Sequence, residues 1–334
     1  MMLITKEEFL TCIEGFGITN CAVRDRNIYY FSAYDLNSEA DPVIEQTEIK
    51  KRVFAFFLDE EKGDRLDYLE LIGMERLFAG VSILPKSQFV GVHARGGVYV
   101  FGQGDDDFED KIPVSPEGPR RGGVQKLKTI GEHLYVASGR RGLCRRMGPN
   151  NWESLCPTID NPPKNSKEDR IFSRDSGFND IDGFSENDIY ACGGYGDLWR
   201  YHDGNWRQID FPSNMILESI CCADDGKVYI GAQSGTLIVG RENEWKLLWR
   251  GDLSLPFVDL VSHAGRLWGT NSYGLWVLEG DEMVRADLPE EIKVCAGSLS
   301  VADGVMLMAG EYGAALMINN EWQLIFNVFQ EELK

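Results

Sequence analysis

Few residues in this chain have the type and spacing to do chemistry. Four histidines stand far apart, at 93, 133, 202 and 263, and eight cysteines (12, 21, 144, 156, 192, 221, 222, 295) form no C-x-x-C pair. Scattered thiols within apolar stretches suit buried, reduced cysteines, and neither set has the spacing of a zinc or iron site. "DDDFED" (105–110) lacks the glycine and the terminal bidentate glutamate of a calcium loop. "GGYGDL" (193–198) lies between two strand-like stretches, without the helix that phosphate binding needs, and there is no G-x-S-x-G elbow. Asp175 with Asp180 is a conceivable acid–base pair for a sugar, although nothing in their spacing distinguishes them. The expectation is therefore no catalytic residue, no metal and no cofactor.

The elements around these residues are more informative. Taking Gly196 as an anchor, the same turn followed by an apolar strand recurs at Gly235, Gly274 and Gly313, in three steps of 39 residues. Gly142 and Gly97 fit the same slot, at longer steps of 54 and 45. Trp152, Trp206, Trp245 and Trp322 follow their anchors by nine or ten residues. Upstream of each anchor lies a second apolar strand ("HLYVAS", "DIYACG", "KVYIGA", "VMLMAG"), preceded by a polar turn such as "VADG" and by a third strand rich in small residues. Asp, Gly and Asn in those turns tolerate the positive φ of tight hairpins. Four short strands per unit of about 40 residues predict a propeller blade. The small-residue strand should line a crowded channel, and each tryptophan should fill the gap where blades splay apart, worth roughly 3 kcal/mol of burial.

"ITNCAVRD", "NIYYFSAY", "RVFAFFLDE" and "RLDYLELIG" add one more unit, so the reading is all-β, a seven-bladed β-propeller of four-stranded antiparallel blades. Blades start near residues 18, 76, 122, 177, 216, 256 and 294; the propeller spans 16–334 after a helical leader, 1–15. In the leader Thr5 and Glu8 form a capping box, Phe9 and Ile13 share a face and Gly15 can end the helix. Each terminal blade owns its four strands, so no strand-swapped closure is evident.

These units resemble the bacterial seven-bladed propellers of the WD40-like and YVTN-like superfamily, most clearly in "NDIYACGGYGDLWRYHDGNW" (187–206). The resemblance covers about 18–329 and implies fold rather than function, because such propellers host many activities. Trp-Asp blade endings and paired kelch glycines are absent, and the Asp-box is matched only by "HDGNW".

Propeller geometry sorts the loops onto two faces. Turns between the second and third strands, and connections between blades, share one face. It holds three long insertions, 34–50, 113–123 and 157–177, and loops of that length are uncommon unless they bind something or are disordered. Arg95, Arg120, Arg121, Arg140, Arg141, Arg170 and Arg174 map there, with Tyr195, Tyr273 and Tyr312 around the channel mouth. Arginines and tyrosines make good interface anchors. The opposite face collects carboxylates, including Asp105, Asp106, Asp107, Asp203, Asp224, Asp225, Glu242, Asp281 and Glu282, as an alternative partner surface.

Net charge is −19, which repels phosphate backbones and anionic lipids and would draw in a cationic protein. Neither a secretory signal nor an apolar run of membrane-spanning length is evident, so a cytoplasmic protein is expected. The leading functional expectation is a non-enzymatic protein-binding propeller, with neutralisation of a cognate cationic toxin, that is immunity, as its specific form. The alternatives are a propeller hydrolase or lyase acting on an anionic sugar through the arginines, and a structural scaffold.

Overall fold

The computed structural model describes residues 2–39, 44–158, 167–168 and 176–330. Among them are seven four-stranded antiparallel sheets, each in simple sequential order from the innermost strand outwards. They span 16–71, 77–109, 124–154, 180–208, 217–249, 259–285 and 298–327, here numbered blades 1 to 7.

Burial grades outwards as the blade reading requires. The second strands of blades 2, 4 and 7 (Gln88–His93, Asp188–Gly193, Val305–Gly310) are buried along their whole length, because sheets of neighbouring blades press on both faces. The outermost strand of blade 4, Asn205–Gln208, is mostly exposed and only Trp206 reaches inward. That indole stacks on Phe178 and packs on Tyr201 (centroids 5.6 and 5.4 Å), and its Nε1 donates to the Leu155 carbonyl at 2.6 Å. Blade 3 is thereby tied to blade 4. Trp245 holds the corresponding place in blade 5, against Phe211 and Tyr190.

The hairpin chemistry follows the sequence. Asp203-Gly204, Ala264-Gly265 and Asp303-Gly304 take positive φ at both positions, as two-residue turns between twisted strands demand.

Blades 7 and 1 meet without sharing a strand. The leader bridges them. Helix Lys6–Cys12 is capped by the predicted box, Glu8 N to Thr5 Oγ1 at 3.1 Å and Thr5 N to Glu8 Oε2 at 2.7 Å. Ahead of it, the Leu3 amide donates to the Leu324 and Ile325 carbonyls on the outermost strand of blade 7 (2.9 and 3.2 Å). On the blade 1 side, Arg65 gives its amide to Glu8 and its guanidinium to the Leu3 carbonyl, at 2.7 and 2.9 Å. Phe9 packs on Phe326, and one apolar cluster runs from the leader through blades 6, 7 and 1. At the inner end Ser300 accepts from Val23 N and Asp303 from Arg26 N, both at 3.0 Å.

Candidate protein interface

The innermost strand of a blade has one edge with no strand beside it. Its amides would be orphaned in the channel unless side chains served them. Asp180 accepts from Ile220 N and Asp182 from Cys222 N, each reaching from blade 4 to blade 5 at 2.9 Å; Asp259 of blade 6 does the same for Leu299 N of blade 7 at 2.8 Å. Blade 3, beside blade 4, contributes Lys126, paired with Asp259 of blade 6 across the channel, and Lys128, 3.7 Å from Asp182 of its neighbour. Burial pushes the Asp180 carboxyl up to about 6, against the pull of Lys126 and Lys128. The small-residue reading of this strand missed these lysines; alternating Lys at 126 and 128 in an apolar stretch was the available signal. Asp180 is 3% exposed and lies within the channel rather than at its mouth, and Asp175 falls outside the described residues.

Ion pairs lace the channel, and the remaining candidate contact residues lie on the two faces. On the long-loop face, several of the predicted arginines turn inward. Arg120 is buried, its two terminal nitrogens donating to the Gly122 and Arg95 carbonyls at 2.6 and 2.9 Å. This is a correction to its expected partner-binding place: those carbonyls belong to turns that need a donor, and a guanidinium fork serves both. Arg141 is likewise half of a clamp. Its Nε and Nη2 each lie 2.8 Å from an Asp197 oxygen, with side chains 14% and 4% exposed. Asp197 also accepts from Trp199 Nε1 at 2.8 Å and Gly177 N at 3.3 Å. Arg121 is half-buried, which lowers its pKa, and Arg140 occupies a left-handed turn position (φ 60°) beside Arg141. Arg95 is the outward one, 78% exposed, at 3.0 Å from Glu75. Arg170 and Arg174 lie outside the described residues.

The tyrosines do face solvent. Tyr273 is 65% exposed, and Tyr195 and Tyr312 are about half-exposed. Sequence reasoning missed three exposed apolar residues on this part of the face, Leu255 and Val258 in the connection between blades 5 and 6 and Phe329 after the last strand of blade 7. Phe329 packs on Tyr312 with centroids 5.4 Å apart. Apolar residues inside loops were the signal for all three. Together the six run as an arc over blades 4 to 7.

The acidic face is more neutral than its sequence suggests. Asp188 is buried between Arg200 Nε at 2.7 Å and Arg241 Nη2 at 2.9 Å; Arg146, fully buried, forks onto Glu109 at 2.6 and 2.5 Å. Glu242 pairs with Arg200, Asp225 with Lys227, and Asp224 accepts from Ser262. Asp106, Asp107, Asp203, Asp281 and Glu282 are exposed; Asp106 and Asp107 lie on the outermost strand Asp105–Glu109 rather than in its turn, and the Asp105 side chain is outside the described set. Among the described residues no three His, Cys, Asp or Glu groups converge as metal ligands, and no helix is long and apolar enough to cross a membrane.

A closed ring of seven four-stranded antiparallel blades defines a β-propeller. Solved structures agree on the fold: the WD40 β-propeller domain of Doa1 (TM-score 0.60, 9% identity, 89% of this chain and 90% of that one) is similar, as is the computationally designed Ika8 protein (TM-score 0.54, 12% identity, 94% and 87%). No family model matches. The chain is 31% identical over 238 residues to the immune protein Tsi7 of Pseudomonas aeruginosa, an alignment covering 71% of this chain and 75% of that protein. It belongs to the family of that immune protein.

Proposed function

We propose that this chain is an immunity protein, one that binds a cognate toxin and neutralises it by occupying its surface, with no chemistry of its own. The observation that carries the reading is the 31% identity across three quarters of a protein named for immunity. A rigid ring supports it, because a preformed surface loses little conformational freedom on binding. The long-loop face, with Arg95, Tyr195, Tyr273 and Tyr312, is the proposed contact region, the acidic face its alternative, and the cytoplasm the place of action. The anionic-sugar reading is left with little, since Arg120 and Arg141 are occupied internally and Asp180 already serves the Ile220 amide.

The test is rescue. The protein encoded by the gene beside this one is expressed in a host cell with and without this chain. Restored growth and a complex that survives gel filtration are expected; toxicity unrelieved with no complex formed would refute the immunity role.

A further inference from the structure

The long-loop face is divided. Over blades 1 to 3 it carries the arginine turns with two exposed aliphatic side chains, Ile72 and Val114, while over blades 4 to 7 it carries the aromatic arc. The turns and connections of that second half (194–196, 209–216, 233–236, 250–258, 272–273, 286–297, 311–312 and 328–330) hold six acids against two bases, Arg250 and Lys293, with one more base, Arg285, at the adjoining strand end donating to the Tyr273 carbonyl at 2.7 Å. Lys293 is already paired with Glu290 at 2.5 Å. Asp210, Asp252 and Asp287 are exposed and have no ion pair among the described residues. On the opposite face arginines from the blades pair Glu109 and Asp188, while the exposed Asp106, Asp107, Asp281 and Glu282 have, among the described residues, no aromatic arc beside them to hold a partner.

One carboxylate within this half stands apart. Glu218 lies at the long-loop end of the innermost strand of blade 5, Leu217–Cys222, and is half-buried with no hydrogen bond or ion pair among the described residues. Val258, exposed, holds the equivalent place on blade 6, one residue before Asp259 as Glu218 is before Ser219. A desolvated acid beside apolar surface is a seat for a cation whose neighbours are themselves apolar.

We propose that the acidic, aromatic arc over blades 4 to 7 is the docking surface, and that its occupant is a basic protein surface: a Lys or Arg seated at Glu218, with flanking apolar side chains against Tyr273, Tyr312 and Phe329. Charge complementarity selects this occupant, since the flanking acids would repel an acidic surface and draw a basic one. The proposal rests on reading the chain as a protein binder, and names the half of the face that binds.

The test has two arms. In the first, binding to the toxin identified by rescue is measured for Tyr273→Ala with Tyr312→Ala, for Glu218→Gln, for Asp252→Lys with Asp287→Lys, and for Asp203→Lys with Asp281→Lys on the opposite face. The tyrosine pair should weaken binding roughly 30-fold or more. Glu218→Gln should weaken it about tenfold. The Asp252/Asp287 reversal should slow association and flatten its salt dependence, and the opposite-face pair should change nothing. Normal binding by the arc variants, or its loss in the opposite-face pair, overturns the docking surface while leaving immunity intact. The second arm needs no toxin: hydrogen exchange is followed with a Lys/Leu 12-residue peptide and with its Glu/Leu counterpart. Protection of 311–313 and 255–258 by the basic peptide alone supports the surface even where rescue fails. Equal protection by both peptides, or none, counts against it.

Discussion

Arg141 divides what its sequence position suggests from what its contacts do. As a loop arginine it belongs to a partner; as the fork on Asp197 it pins the turn of blade 3 to the third strand of blade 4, Asp197–His202. Both side chains are shielded from water, so removing one partner leaves a buried charge, which costs about 3–5 kcal/mol. Arg141→Ala should fall at the lower end, about 3 kcal/mol, because Asp197 keeps donors from Trp199 Nε1, Gly177 N and Gln208 Nε2. Asp197→Ala should cost about 5 kcal/mol, since it removes the bidentate acceptor of a shielded arginine and also leaves the buried Trp199 nitrogen without an acceptor. Urea unfolding followed by tryptophan fluorescence and circular dichroism reads both, given coincident transitions. The double variant should be less destabilised than the sum of the singles by at least about 1 kcal/mol. Partner affinity, measured where each variant is folded, should be nearly unchanged. If Arg141→Ala is within about 0.5 kcal/mol of wild type in stability yet loses affinity, the clamp is incidental and the arginine belongs to the interface.

Trp206→Ala should destabilise by about 3 kcal/mol, while Trp206→Phe, which keeps the stack on Phe178 and loses only the bond to Leu155, should cost about 1 kcal/mol in the same unfolding assay. Equal losses would mean that the bond, not the stack, joins blades 3 and 4. Burial lowers the imidazole pKa values of His93 and His263, so the unfolded chain binds more protons below about 6.5 and stability should fall there with acid; His93→Gln with His263→Gln should flatten that fall. Asp180 acts in the opposite sense: its contribution is full below 3.8 and lost as pH rises through about 6. Asp180→Asn should therefore gain on wild type between those values, and a constant difference would refute the assignment. Glu8→Ala removes the acceptor of Thr5 and Arg65 together and should cost about 2 kcal/mol, with faster amide exchange at Leu3 and Arg65; unchanged exchange would mean that the leader does not hold the seam.

The repeat was legible because its signals are local. Positive φ at Asp203-Gly204 and Asp303-Gly304 restricts residue type, the outer tryptophans recur at fixed offsets, and the leader's box spans Thr5 to Glu8. Contacts between blades were not legible. Arg141 finds Asp197 across 56 residues, and Lys126 finds Asp259 across 133. No period of the sequence encodes these pairings, because they depend on how far each blade is turned against the next. The face of each loop could be read from strand order, so Tyr195, Tyr273 and Tyr312 were assigned to the long-loop face around the channel mouth, and all three face solvent. Whether an arginine on that rim points outward depended on unpaired carbonyls and carboxylates nearby, as Arg120 illustrates.

The same dependence governs the charge. Formal net charge is −19, yet charge steers a partner only where it is not cancelled locally. On the face built from tight hairpins, Arg146 meets Glu109, and Arg200 and Arg241 meet Asp188. On the other face the arginines of blades 2 and 3 are drawn onto backbone carbonyls and Asp197, and Asp252 and Asp287 over blades 5 and 6 have no ion pair among the described residues. Those acids lie among Leu255, Val258, Tyr273, Tyr312 and Phe329, where apolar contact can hold what the field attracts. Attraction and grip therefore coincide on one half of one face, and the ring, tied at its seam by the leader, offers that half as a fixed surface.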